Sequence, residues 1–158
     1  MQLRVRERLE ENGVVRLKDI LEFQGEHRWL SNFWPAKVEI YGTVYPTVEN
    51  AYQAAKTHSP NRDPFLTCTP GQAKRLAREL QIRSDWEEVK VDVMRRLISQ
   101  KFAPGTELAE KLLDTGDCKI VEGNRWGDTF WGVCRGHGQN TLGKLIMEQR
   151  QNLRAGDR

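Results

Sequence analysis

From Pro46 onward the chain is cut into short helical stretches by its own start and stop signals, and this punctuation is what most limits the folds open to it. Thr47 stands as an N-cap for a helix to about Lys56, with Val48, Ala51, Tyr52 and Ala55 at i, i+3, i+4 and i+7 on one apolar face. Thr69-Pro70 opens a second helix, proline suiting its first position, that carries Ala73, Leu76, Ala77 and Leu80 inward. Ser84-Asp85-Trp86-Glu87 matches a capping box and predicts a long helix to about Phe102, with Trp86, Val89, Val93 and Leu97 as its core seam. Ala103-Pro104-Gly105 stops it. Thr106 opens a shorter helix bearing Leu108 and Leu112, which Gly116 closes, and a last helix from about Thr141 presents Leu142, Leu145, Ile146, Gln149 and Leu153 on one face.

Strand signals are fewer. Lys37–Tyr41 alternates, Gly42-Thr43 reads as a tight turn and Val44-Tyr45 as the return strand, ended by Pro46. Cys118–Glu122 is a short apolar strand candidate. Residues 1–23 fit strand or short helix equally, with Asn12-Gly13 a turn dipeptide. Short amphipathic helices with one small sheet element predict an α+β, mainly helical fold, and 158 residues suit a single compact domain. No internal repeat or second-domain boundary is visible; residues 1–22 read as an N-terminal extension packed on or flanking a domain of residues 23–155.

Charge and composition narrow the function. Twenty-five Lys and Arg against 22 Asp and Glu give a net charge of +3, far from the charge of a general nucleic-acid packaging protein. No run approaches the roughly 18 apolar residues of a membrane span, and Met1–Glu11 is charged where a signal peptide is apolar, so a cytoplasmic protein without membrane contact is expected. The three cysteines, Cys68, Cys118 and Cys134, form no CxxC pair, and His27, His58 and His137 lack ligand spacing, so neither a metal nor another cofactor is expected.

Two segments carry residues suited to chemistry. On the helix after Pro46, Glu49, Gln53 and Lys56 stand at i, i+4 and i+7, a polar stripe that is either a solvated face or one wall of a site. The stretch from Gly123 to Asn140 holds Gly123, Gly127, Gly132, Gly136 and Gly138 with Trp126 and Trp131, too loose for an ordinary strand and too aromatic for a plain linker. Within it Asp128 either caps its own turn or serves a ligand, Trp131 is either core or a stacking surface, and Asn140 is either the N-cap of the last helix or a ligand donor. Arg62, Lys74, Arg75, Arg78, Arg83, Arg95 and Arg96 are interleaved with acids and read first as mixed surface charge.

Several motifs occur together and in order: Trp29-Leu30-Ser31-Asn32-Phe33, then Tyr45-Pro46-Thr47-Val48-Glu49 running into Ala51-Tyr52-Gln53-Ala54-Ala55-Lys56. They continue with Trp86 through Lys101-Phe102, Leu113 through Glu122, and Asp128 through Gly143 with Leu145-Ile146-Met147-Glu148. By these motifs, spread over residues 23 to 153, the chain resembles the NADAR (NAD and ADP-ribose associated), or YbiA-like, superfamily, which includes N-glycosidases of riboflavin-pathway intermediates. In many members the residue after the motif glutamate is histidine; here it is Asn50.

The resemblance implies a hydrolase that cleaves the N-glycosidic bond of a phosphorylated ribose, in riboflavin-pathway pyrimidines or in ADP-ribosylated guanine, the latter being the one way nucleic acid would enter. Protonating the leaving nitrogen while delivering water or an amine to C1 needs a carboxyl and a second basic or nucleophilic group at one site, types that Glu49 and Lys56 supply. The family reading gives Lys56 a Schiff-base role, has Glu49 and Asp128 move protons, and places Asn32, Phe33, Gln53, Trp86, Trp131, Gly132 and Asn140 around the substrate. The alternative is a non-catalytic module that binds ADP-ribose, a nucleotide or nucleic acid; a spatially continuous basic stripe favours the nucleic-acid form of it, a closed acidic and aromatic pocket the enzyme.

Overall fold

The computed structural model describes residues 8–11 and 14–156, and the Asn12-Gly13 turn lies outside them. In chain order its elements are β1 (Arg8–Glu11), β2 (Val14–Leu17), β3 (Pro35–Ile40), β4 (Thr43–Thr47), α1 (Val48–Ala55), α2 (Pro70–Ala77), α3 (Trp86–Lys101), α4 (Glu107–Leu113), β5 (Gly123–Asn124), β6 (Val133–Cys134) and α5 (Thr141–Gly156), with 3₁₀ turns over Gly25–Leu30 and Asp63–Leu66. The fold is α+β and mainly helical, as the sequence predicts. Its contacts separate into two compact units, Arg28–Pro104 and the described residues up to His27 together with those from Gly105.

In the unit Arg28–Pro104, β3 and β4 form an antiparallel hairpin that leads directly into α1, which packs on α2 and α3. The core is Leu30, Val38, Ile40, Tyr45, Val48, Phe65, Met94, Leu97, Ile98 and Phe102, each 1% exposed or less. The hairpin loop is Tyr41-Gly42, one residue earlier than predicted, with φ of 51° and 81°, the left-handed pair that matches strand twist in a two-residue turn. Pro46 lies inside β4 rather than ending it; a two-stranded ribbon has a free edge where the missing N–H costs nothing.

Helix starts are mostly where the sequence puts them. Thr47 Oγ1 accepts from Asn50 N–H, Thr69 forms a full capping box with Gln72, and Thr106 Oγ1 accepts from Ala109 N–H. The predicted Ser84 box does not form. Asp85 is the N-cap of α3 and makes no side-chain cap bond, because Arg83 grips both its carboxylate oxygens at 2.6 and 2.8 Å, while Glu87 pairs with Lys90. Helix α2 ends at Ala77, so Leu80 is a half-buried loop residue and not part of the inward face.

Asn50, the departure from the family pattern, is fully buried. Its Nδ2 donates to the carbonyls of Phe65 (2.9 Å) and Cys68 (2.8 Å), and its Oδ1 accepts from Thr47 Oγ1 (2.6 Å), clamping the second 3₁₀ turn and the residues just after it onto α1. Asn50→Ala strands both carbonyls and is expected to cost about 2 to 4 kcal/mol in urea unfolding.

In the second unit β1 and β2 pair antiparallel, Ile20 and Ile120 form a single parallel bridge, and β5 and β6 pair in parallel over two residues. The predicted strand Cys118–Glu122 thus shrinks to the bridge at Ile120, and ladder pairing moves on to Gly123-Asn124. Helix α5 carries the expected face and adds Arg150, 5% exposed, whose guanidinium donates to Thr115 Oγ1 and the Cys118 carbonyl, both at 2.9 Å. No described helix is long and apolar enough to cross a membrane.

Candidate functional site

Helix α1 is unusual in having no solvated side: all eight of its residues are buried, the polar ones included. Glu49 and Gln53 of the stripe are therefore enclosed within the unit and not on a solvated face, and Lys56, just past the helix end, is half-buried. Glu49 is 8% exposed and Gln53 4%. Gln53 Nε2 donates to Glu49 Oε1 at 2.7 Å, and since a carboxylate only accepts, this bond fixes which way the Gln53 amide points. Gln53 Oε1 is left buried and without a hydrogen-bond partner among the described residues.

Lys56, the C-cap of α1, lies beside two aromatic rings. Its Nζ is 5.1 Å from the centroid of Tyr52 and 6.0 Å from that of Trp86, rings that themselves meet at 5.1 Å with a 58° tilt. Burial lowers its pKa below the ordinary lysine value, Glu49 opposes that, and Lys74, Lys90 and Arg78 add to it. Burial and positive neighbours both favour the neutral amine, the form that can act as a nucleophile. About 10.5 Å of helix rise separates positions 49 and 56, enough for a small ligand group between them.

The Ser31–Trp34 turn abuts the start of α1. Asn32 accepts from Glu49 N–H through its carbonyl (3.0 Å) and directs Nδ2 at Met94 Sδ (3.7 Å), so its Oδ1, buried and unpartnered among the described residues, is a second acceptor left over. Phe33 is half-buried and its N–H donates to Ser31 Oγ (3.1 Å). The unit Arg28–Pro104 thus gathers Asn32, Glu49, Gln53, Lys56 and Trp86 around α1.

The remaining predicted residues belong to the other unit. Asp128 Oδ1 accepts from the N–H groups of Phe130 (3.1 Å) and Trp131 (2.9 Å), so the carboxylate caps its own turn. Asn124 holds that turn in place, donating to Asp128 O and accepting from Asp128 N–H. Trp131 is half-buried, edge-on to Phe130. A Cβ on Gly132 would sit 2.2 Å from Glu122 O and 2.8 Å from Asn124 Nδ2, so the space that glycine frees is occupied by the chain's own strand. Asn140, at φ 54°, spends its amide on the backbone of Ile120 and Glu122, where its side chain links α5 to the bridge segment.

Sequence reasoning overlooked Tyr52 as the ring beneath Lys56, Asn124 as the clamp on Asp128, and Lys101. Lys101 could have been found, because it continues the spacing of Met94, Leu97 and Ile98 on α3, where a charge is out of place. Of the basic residues weighed for phosphate, Arg83, Arg95 and Arg96 pair with Asp85, Asp92 and Glu39, and Arg62 stacks 4.4 Å from the Tyr41 ring. No group of three His, Cys, Asp or Glu able to hold a metal occurs among the described residues.

Comparisons with known proteins place these features in context. A family model of the NADAR domain matches residues 22–154. The N-glycosidase Npun_R5314 of Nostoc punctiforme is 38% identical over 132 residues, covering 78% of this chain and 84% of that protein. The N-glycosidase YbiA of Escherichia coli is 38% identical over 130 residues, covering 78% and 79%. The riboflavin biosynthesis protein VVA0006 of Vibrio vulnificus is 39% identical over 132 residues, and the match spans 36% of that longer protein. The NMR structure of E. coli YbiA superposes with a TM-score of 0.77 at 31% identity, covering 90% of this chain and 89% of YbiA.

Proposed function

The chain belongs to the NADAR domain family, and on that premise we propose that it is an N-glycosidase, a hydrolase that releases a base from a phosphorylated ribose. The observation that supports this most is the pairing of types along α1: a buried carboxyl group at Glu49 and, at the C-cap, a half-buried amine at Lys56 whose pKa is pushed down mainly by burial. Glu49 is the proton donor and acceptor for the leaving nitrogen. Lys56 attacks C1, and the resulting imine with the opened sugar is then hydrolysed by water. Asn32, Gln53 and Trp86 orient the substrate. The substrate is a small molecule, a pyrimidine ribotide of the kind found in riboflavin synthesis or an ADP-ribosylated guanine.

Incubating the pure protein with each substrate type and following the released base by mass spectrometry tests this reading. Release from one of them is expected at a rate that chelators leave unchanged. Release from neither, under conditions where the protein is folded, overturns it.

A further inference from the structure

We propose that Lys101 is a positioning residue, which holds the Ser31–Asn32 turn against the start of α1 and through it sets Glu49. Lys101 is 2% exposed, and its Nζ donates to the carbonyl of Ser31 at 2.7 Å. Its ammonium has no carboxylate within ion-pair distance among the described residues, and it lies 5.1 Å from the centroid of the Phe102 ring. An apolar chain at this point of the seam would pack without desolvating a charge, so the lysine is there at a cost to stability. Burial alone holds its pKa down to about 7, which matches that cost.

What the lysine holds is a hub. The Ser31 carbonyl accepts from Trp34 N–H (3.0 Å) as well as from Lys101, and Ser31 Oγ accepts from Phe33 N–H. The next carbonyl along, that of Asn32, takes the N–H of Glu49, and the Asn32 side chain leaves one acceptor unpartnered among the described residues. Lys101 therefore lies two hydrogen bonds and one residue from the main chain of Glu49 and touches no reacting atom. Both protonation states of the amine keep an N–H for Ser31, so the hub persists across the titration of the lysine.

The inference rests on the N-glycosidase reading for its effect on rate, and the test separates the two. In Lys101→Met the thermal midpoint is expected to hold or rise, because an unpaired buried charge is replaced by an apolar chain of similar volume. At the same time kcat is expected to fall about 10- to 100-fold with KM little changed, and the amide resonance of Glu49 to shift in 1H–15N spectra. Wild-type kcat in Lys101→Met overturns the proposal, as does a loss of activity that only tracks a loss of folded protein. Should Lys101→Met fail to fold, Lys101→Gln is read the same way: it keeps a neutral N–H one atom short of Ser31, and wild-type kcat in it overturns the proposal. If wild-type protein turns over neither substrate, the glycosidase reading fails by itself, and an unmoved Glu49 resonance then decides against positioning independently.

Discussion

Borohydride added during turnover is expected to leave the ribose-containing fragment covalently attached to the peptide that carries Lys56, and Lys56→Arg to lose both that adduct and most of the turnover. The reasoning starts from the lysine's surroundings. The amine must be neutral to attack C1, and burial together with Lys74, Lys90 and Arg78 favours the neutral form. Attack breaks the C1–N bond and expels the base with one amine proton; the ring C1–O bond then opens, its oxygen taking the second amine proton, and leaves a C=N bond that borohydride reduces to a stable secondary amine. Arginine preserves the charge and the contact with Tyr52 and Trp86, but its guanidinium stays protonated and is a poor nucleophile. Trapping should weaken as pH falls and Lys56 is protonated. Peptide mass mapping reads the outcome: full turnover in Lys56→Arg, or an adduct on a different lysine, reassigns the nucleophile.

Glu49→Gln is expected to slow turnover by about 100- to 10,000-fold while leaving substrate affinity and folding near wild type. The amide is isosteric and still accepts the hydrogen bond from Gln53 Nε2, so the wall of α1 keeps its shape while the proton carrier is gone. A second consequence distinguishes this variant from Lys56→Arg. Glu49 is the neighbour that raises the Lys56 pKa, so its neutralisation lets Lys56 shed its proton at lower pH. Borohydride trapping in Glu49→Gln should therefore persist to more acid pH than in wild type even as product release slows. Unchanged kcat in Glu49→Gln moves the acid–base role elsewhere.

Local signals were legible wherever one side chain decides the outcome. Thr47, Thr69 and Thr106 cap as predicted because each places a hydroxyl beside the first turn. Ser84-Asp85 was not legible, since the competitor that takes the Asp85 carboxylate is Arg83, and nothing in a capping pattern registers a preceding arginine. The strand at Cys118–Glu122 reads as apolar for the right reason, burial, but its pairing depends on Ile20, a hundred residues earlier. The stripe of Glu49, Gln53 and Lys56 was visible as spacing, whereas whether it faced solvent or protein depended on how α2 and α3 pack around α1. Lys101 carries a signal of its own, the spacing it continues from Met94, Leu97 and Ile98, but a charge on a 16-residue helix is read first as solvated.

The burial of α1 on every side also bears on how the site behaves in time. An isolated helix of eight residues is too short to persist in water, where about 12 to 15 are needed even for good helix formers, so this one exists only through its surroundings. Its ends are tied as well: Glu49 N–H is held by the Asn32 carbonyl, and the Lys56 carbonyl accepts from Arg83 N–H at 2.8 Å. Fraying, the usual low-energy opening of a helix, is thereby blocked at both termini. Amides of α1 can exchange with solvent only when the surrounding helices and hairpin open with it, so they belong to the slowest-exchanging class of the molecule. The groups on this helix are held in fixed relation before any substrate arrives, and whatever motion admits a ligand falls to the segments around the helix.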